Sequence, residues 1–289
     1  MQKRKLLSIF IFLTLIFSVY AKKPKTAKSE YPKSIVALSP SAAEILFAVG
    51  AGDQVSAVSE FTDYPAEAKA KPIVGGFDGK TLSIETIMSF KPDLVYLTEG
   101  MHNFLISTLE SNGIAYYISK GESIASVEQE ILDVGKLTGH EKEAKKVVDD
   151  MEKKLKKAAG VSAKMGAPVK VYYEVWNAPY MSVGTNSFIH DVIVKAGGEN
   201  IFGDLTDAYP MVSEETIIAR EPAVILIPSS SGQKASSVAL RNGWSTIPAV
   251  KASNIFVIDD NVYTRPGPRI ADVVVELSDL LQNVVIVVE

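Results

Sequence analysis

Two different motifs occur twice in this chain, in the same order, and that duplication limits the fold more than any other feature. Glu85-Thr86-Ile87 runs seven residues, from its glutamate, to the proline of Lys91-Pro92-Asp93-Leu94-Val95. Glu215-Thr216-Ile217 stands at the same distance from the proline of Glu221-Pro222-Ala223-Val224-Ile225. Upstream of these, Glu44-Ile45-Leu46 leads to Gly50-Ala51, and Asp191-Val192-Ile193 to Gly197-Gly198, with the same spacing from acid to glycine. Repetition of two motifs in one order implies two similar lobes. Two lobes imply a cleft, and small molecules bind in clefts between lobes. Each lobe then carries its own copy of one glutamate, Glu85 and Glu215, which makes a two-point docking surface.

At 289 residues, 47% hydrophobic and 22% charged, the chain has the length and composition of two ordinary globular domains. Short, almost continuous apolar runs alternate with helical periodicity. Ser34 to Leu38, Val55 to Val58, Asp93 to Leu97 and Ala115 to Ile118 read as strands, separated by helical stretches over Glu44–Val49, Ile84–Phe90 and Leu105–Asn112. Strands at Val169–Val175 and Val224–Ile227, with helices at Phe188–Ala196, Glu214–Arg220 and from Ile270, repeat the pattern. The expected fold class is α/β: two lobes, each with a mainly parallel sheet flanked by helices. Between them, Glu141 to Ala159 is dense in Lys and Glu, with Val148, Met151 and Leu155 on one face. It reads as a connecting helix, the alternative being a surface helix of one lobe. The expected boundaries are a signal peptide over 1–21, a flexible leader over 22–33, an N-terminal lobe over 34–122, a helical segment over 123–164 and a C-terminal lobe over 165–289.

The amino terminus addresses the chain for export. Lys3-Arg4-Lys5 precedes the apolar run Leu6 to Val19, and Val19-Tyr20-Ala21 offers a cleavage site. As a helix that run is about 21 Å long, short of the roughly 30 Å hydrocarbon core that a membrane anchor spans. Cleavage removes three cations and no acids, so the net charge of −4 becomes −7. Such acidity disfavours nucleic acid as a partner. The sequence has no cysteine, hence no disulfide and no thiol for the lipid anchor of bacterial lipoproteins. The expected location is the periplasm, in solution and as a monomer.

Catalytic signatures are missing. His102, His140 and His190 lack metal-ligand spacing, no phosphate loop or nucleophile elbow occurs, and a cysteine nucleophile is impossible. Aromatic residues crowd the loops instead: Phe61 and Tyr64, Phe77, Trp176 and Tyr180, Tyr209, and Tyr263. In open parallel sheets, ligands sit beyond the carboxyl ends of the strands. Rings gathered there suit a large, flat, partly apolar ligand, although each alone also reads as a core filler. His102 and His190 stand where either can touch that ligand. Arg265 and Arg269 flank Pro266-Gly267-Pro268, and Arg265 is the candidate for a ligand's acidic group, Arg269 equally a structural ion pair.

The chain resembles the bacterial ABC-transporter solute-binding proteins that capture vitamin B12, ferric siderophores or haem. The resemblance rests on Ser34-Ile35-Val36-Ala37-Leu38-Ser39-Pro40-Ser41-Ala42-Ala43-Glu44, Phe61-Thr62-Asp63-Tyr64-Pro65, Gly197-Gly198-Glu199-Asn200-Ile201-Phe202, Val212-Ser213-Glu214-Glu215 and Pro268-Arg269-Ile270. It implies two lobes joined by one long helix that restrains closure. It implies no enzymatic activity and no cofactor, a bound corrinoid or, alternatively, an iron chelate or haem, and a permease dimer whose arginines meet Glu85 and Glu215. It places Pro40, Tyr64 and Phe77 on the cleft, with Phe77 where corrinoid-binding members carry tryptophan. An enzyme on a related two-lobed fold is the remaining alternative.

Overall fold

The computed structural model describes residues 30–76 and 78–284. The expected signal peptide, most of the leader and Phe77 lie outside the described residues. Residues Tyr31–Glu289 form one compact unit, which holds two sheets of four parallel strands.

The first sheet is built from β1 (Ile35–Ala37), α1 (Pro40–Ala48), β2 (Val55–Val58), α2 (Ala66–Lys69), α3 (Ile84–Ser89), β3 (Leu94–Thr98), α4 (Ile106–Ser111) and β4 (Ala115–Ser119). Two helices follow, α5 (Ile124–Thr138) and α6 (Glu141–Ser162). The second half contains β5 (Val169–Tyr173), a hairpin of β6 (Trp176–Asn177) and β7 (Tyr180–Met181), α7 (Phe188–Lys195), β8 (Gly198–Asn200), α8 (Glu214–Ala219) and β9 (Val224–Pro228). It ends with α9 (Ala235–Ala239), α10 (Pro248–Lys251), β10 (Ile255–Ile258), α11 (Asp260–Tyr263) and α12 (Ile270–Asn283).

The duplication extends to topology. The sheets run β2-β1-β3-β4 and β8-β5-β9-β10, the same order, with at least one helix between successive strands of each. Ile35 pairs with Leu94 as Val171 pairs with Val224, so the central strands correspond residue for residue. Backbone turns match as well. Gly50 and Gly197 follow α1 and α7 at φ 90° and 89°, and Lys91 and Glu221 precede their prolines at φ 48° and 51°. Glycine adopts the left-handed region without steric cost, which accounts for the first pair. The hairpin β6–β7 belongs to the second half alone.

Because strand side chains alternate between faces, each sheet presents two apolar surfaces. Val36 and Leu38 pack with Ile87, Val95 and Leu109, and Tyr172 with Phe202, Ile225 and Trp244, each in a core confined to its own lobe. Ile35 and Ala37 from one sheet, and Val171 and Tyr173 from the other, join a single core with residues of α1, α5, α6, α7 and α12. The charged helix α6 buries Ala144, Val148, Met151 and Ala158 into it. At 22 residues α6 is about 33 Å long, and it packs on α5, α7 and α12. A core that continues through both lobes resists a wide hinge motion between them, because opening exposes apolar surface at roughly 25 cal/mol per Å².

Candidate functional site

A cavity of about 490 Å³ lies where the two halves meet. Ser39, Pro40, Ser41, Phe61 and the ends of β3 and β4 supply one wall, while Phe188, Tyr209, Asn261 and Arg265 supply the other. Ser39 caps α1, accepting from the Ala42 N–H at 3.2 Å, and Pro40 opens the helix where its missing N–H is harmless. The positive end of α1 therefore faces the cavity. Two larger concavities exist, about 710 Å³ against α6 and α7 and about 650 Å³ beside Tyr64, but neither is lined by residues from the carboxyl ends of both sheets. The shared cavity is the better ligand site because α/β sheets bind ligands at those ends.

The Arg265–Arg269 segment straps the halves together. Arg265 donates to the Asp63 carboxylate, to the Asn261 side-chain oxygen at 3.1 Å and to the Phe61 carbonyl at 3.4 Å. That hydrogen bond holds the Asp63 carboxyl below the ordinary range, against a smaller opposing effect of burial. Arg269 donates to Glu44 from Nε at 3.0 Å and Nη2 at 2.7 Å, and its guanidinium lies 4.1 Å from the Tyr64 ring centre. Arg265 thus lines the cavity with its charge engaged by the opposite lobe, and Arg269 makes the structural ion pair.

The remaining candidates separate. Pro40 and Tyr209 line the cavity, and Tyr209 is 47% exposed. Tyr64 is exposed at 45% but lines the neighbouring concavity of its own lobe. Trp176 and Tyr180 stand on the β6–β7 hairpin, and neither lines the shared cavity. Trp176 is exposed, whereas Tyr180 packs on the Trp244 ring at 5.9 Å and donates to Glu214 at 3.3 Å. Tyr263 needs correction: it is 3% exposed and its hydroxyl donates to Glu276 at 3.1 Å, so it fills the core and does not present a ring to the cleft. Burial pushes its hydroxyl pKa up, with Glu276 adding to the effect. His102 is also corrected, being fully buried with Nδ1 accepting from the Thr98 N–H at 2.9 Å. His190 contacts Asn200 at 3.2 Å away from the cavity.

Glu85 and Glu215 occupy matching places. Each is the second residue of its helix, exposed, two positions after a serine N-cap and two before a buried isoleucine. Ser83 accepts from Thr86 N–H at 3.3 Å, and Ser213 from Thr216 N–H at 3.2 Å. The Ser83 hydroxyl and then the residue's own N–H hold Glu85 below the usual carboxyl range, while for Glu215 its N–H leads and Ser213 follows. Both carboxylates stay ionised in mild acid and face solvent.

Several residues of this site escaped sequence reading. Thr98, Glu99 and Ser119 line the cavity at the sheet's carboxyl end. Their signal was available, since each ends or directly follows a strand, but polar residues at strand ends are too common to single out. The Glu174–Arg241 pair, 67 residues apart in sequence, carried no local signal at all. Among the described residues no group of three or more acidic or histidine side chains could hold a metal ion.

Comparison with known proteins agrees with this architecture. Residues 35–262 match the family model described as periplasmic binding protein. An ABC transporter substrate-binding lipoprotein of Bacillus subtilis is 32% identical over 263 residues, 88% of this chain and 81% of that protein. A vitamin B12-binding protein of Vibrio parahaemolyticus is 27% identical over 280 residues, covering 96% of this chain and 97% of its own length. The crystal structure of the periplasmic vitamin B12 binding protein BtuF of Vibrio cholerae superposes with a TM-score of 0.75 at 26% identity, over 86% of this chain and 96% of that one.

Proposed function

The chain belongs to the periplasmic binding protein family, and on that premise we propose that it captures a corrinoid of the vitamin B12 type and delivers it to the permease of an ABC importer. The cavity shared by the two lobes carries this reading: an open, partly aromatic site with no catalytic constellation, suited to holding a solute and releasing it unchanged. Pro40, Phe61 and Tyr209 supply apolar contact. The start of α1, Asn261 and Arg265 supply polar contact. Glu85 and Glu215 meet basic groups on the two permease subunits. The protein acts as a monomer and not as an enzyme. The 289 residues include no cysteine, the residue that carries the lipid of a lipoprotein such as the Bacillus relative, which supports a protein free in its compartment.

Titration of the purified protein with cobalamin, haemin and a ferric siderophore, followed by tryptophan fluorescence, tests the reading. Exposed Trp176 and buried Trp244 are the two reporters. Cobalamin binds most tightly of the three. A cobalamin Kd weaker than about 100 μM, which corresponds to only about 5.5 kcal/mol, transfers the assignment to whichever iron ligand binds. Tyr209→Ala weakens cobalamin binding by about tenfold, since a half-exposed ring in contact with a flat ligand contributes about 1–2 kcal/mol. An unchanged Kd in that variant removes Tyr209 from the site.

A further inference from the structure

One wall of the cavity has a chemical sign that the rest lacks. At its base, Glu130 of α5 is 4% exposed and accepts from two hydroxyls, Tyr96 on one oxygen and Ser119 on the other at 3.0 Å. Burial pushes the Glu130 carboxyl pKa up, and the two hydroxyls oppose this. Ser119 ends β4 and lines the cavity. A serine hydroxyl has one proton and two lone pairs. With the proton directed to Glu130, Ser119 has only acceptor capacity left for a solute. Beside it, Glu99 is a further acceptor, and the buried, unpartnered Thr98 hydroxyl is the one neutral side-chain donor left at this wall among the described residues. Lys120, the cation at this wall, is solvent-exposed, where its attraction for a carboxylate is screened.

The second lobe shows that the arrangement is specific to the first. Glu130 is the seventh residue of α5, and Glu276 is the seventh of α12, the long helix after the last strand of the other sheet and the short α11. Each carboxylate accepts from a buried tyrosine, Tyr96 or Tyr263. Only Glu130 also takes a hydroxyl that lines the cavity.

We propose that the ends of β3 and β4 form an acceptor wall, in which Glu130 fixes the Ser119 hydroxyl so that its lone pairs face the solute. The wall selects solutes whose periphery carries amide N–H groups over those that carry carboxylates. The inference rests on the solute-binding reading and narrows the class of solute. An amide N–H meets a ready acceptor there. A carboxylate meets the lone pairs of Ser119 and Glu99, and the single Thr98 hydroxyl and the screened Lys120 replace only part of the water it loses. Glu130 is a positioning residue and touches no solute itself.

The test measures Kd for two matched pairs: cyanocobalamin against its monocarboxylic acid, with one peripheral carboxamide hydrolysed, and the propionamide form of haem against haemin. In the pair that binds, wild type prefers the amide member by about tenfold. Ser119→Ala leaves the Tyr96–Glu130 contact in place and lowers that preference to about twofold, with a melting temperature lowered only by the loss of one hydrogen bond to Glu130. Glu130→Gln, whose amide donates to Ser119 and turns its proton toward the cavity, favours the acid member further. These ratios do not move if Glu130 is merely structural. Equal preference in wild type and Ser119→Ala, a wild-type preference for the acids, or binding of neither pair overturns the proposal. Amide preference in the haem pair with no cobalamin binding keeps the wall and overturns the corrinoid reading.

Discussion

Replacing Glu85 and Glu215 together by alanine abolishes solute uptake by cells while the affinity of the purified protein stays unchanged. Both carboxylates are exposed, lie on short helices of identical design and make no contact with the cavity. Their local stabilising role is the ordinary one of an acid near a helix N-terminus, and both serine caps remain in the double variant, so the fold tolerates the change. What is lost is a pair of charges on equivalent positions of two equivalent lobes, the arrangement that complements a twofold-symmetric partner. Each single variant lowers transport, and the double variant removes it, because two-point attachment fails more steeply than either point alone. Uptake of labelled solute, paired with a fluorescence Kd, reads the result. A double variant that transports normally, or one whose solute affinity falls, removes these glutamates from docking.

The largest effect on stability comes from Arg241→Met. Glu174 follows β5 with its side chain 1% exposed, and Arg241 grips it from Nη1 at 2.6 Å and Nη2 at 2.8 Å. Gln233 donates to the same carboxylate at 2.9 Å, and the guanidinium lies 4.4 Å from the Trp244 ring centre. Removing the arginine leaves a buried carboxylate without its countercharge. Breaking such a pair from one side costs about 3–5 kcal/mol, a large share of the 5–15 kcal/mol that holds a typical domain. Urea unfolding reads the loss directly. Adding Glu174→Gln restores part of it, since the second substitution removes the stranded charge. A single variant within about 1 kcal/mol of wild type shows that the carboxylate finds another partner. The consequence reaches the start of α8, because Trp244 also donates to Glu214 at 2.7 Å, beside Glu215.

Neither Glu85 nor Glu215 lines the shared cavity, so the proposed docking and solute binding fall on different parts of the molecule. The shared cavity lies at the carboxyl ends of the strands, whereas Glu85 and Glu215 sit on α3 and α8, the helices that lead into β3 and β9. With one apolar core passing through α5, α6 and α12, the lobes move little on their own. On the proposed reading, release of the solute then requires force from outside, applied at two points on opposite lobes.

The amino-acid sequence by itself determined the duplication, the two parallel sheets and the places of Glu85 and Glu215. Those features depend on local chemistry: apolar runs, serine caps, glycines at left-handed positions and prolines at fixed offsets act within a few residues of one another. Which rings face the solute was decided only by the tertiary structure. Tyr209 and Tyr263 read alike in the sequence, yet Tyr263 ends α11 and is bonded to Glu276 in the core while Tyr209 stays half exposed. Arg265 and Arg269 were both visible as cations, but their partners, Asp63 and Glu44, lie more than 200 residues away. Side-chain direction and charge pairing across such distances follow from how the two sheets pack on their shared helices, and no window of sequence contains that packing.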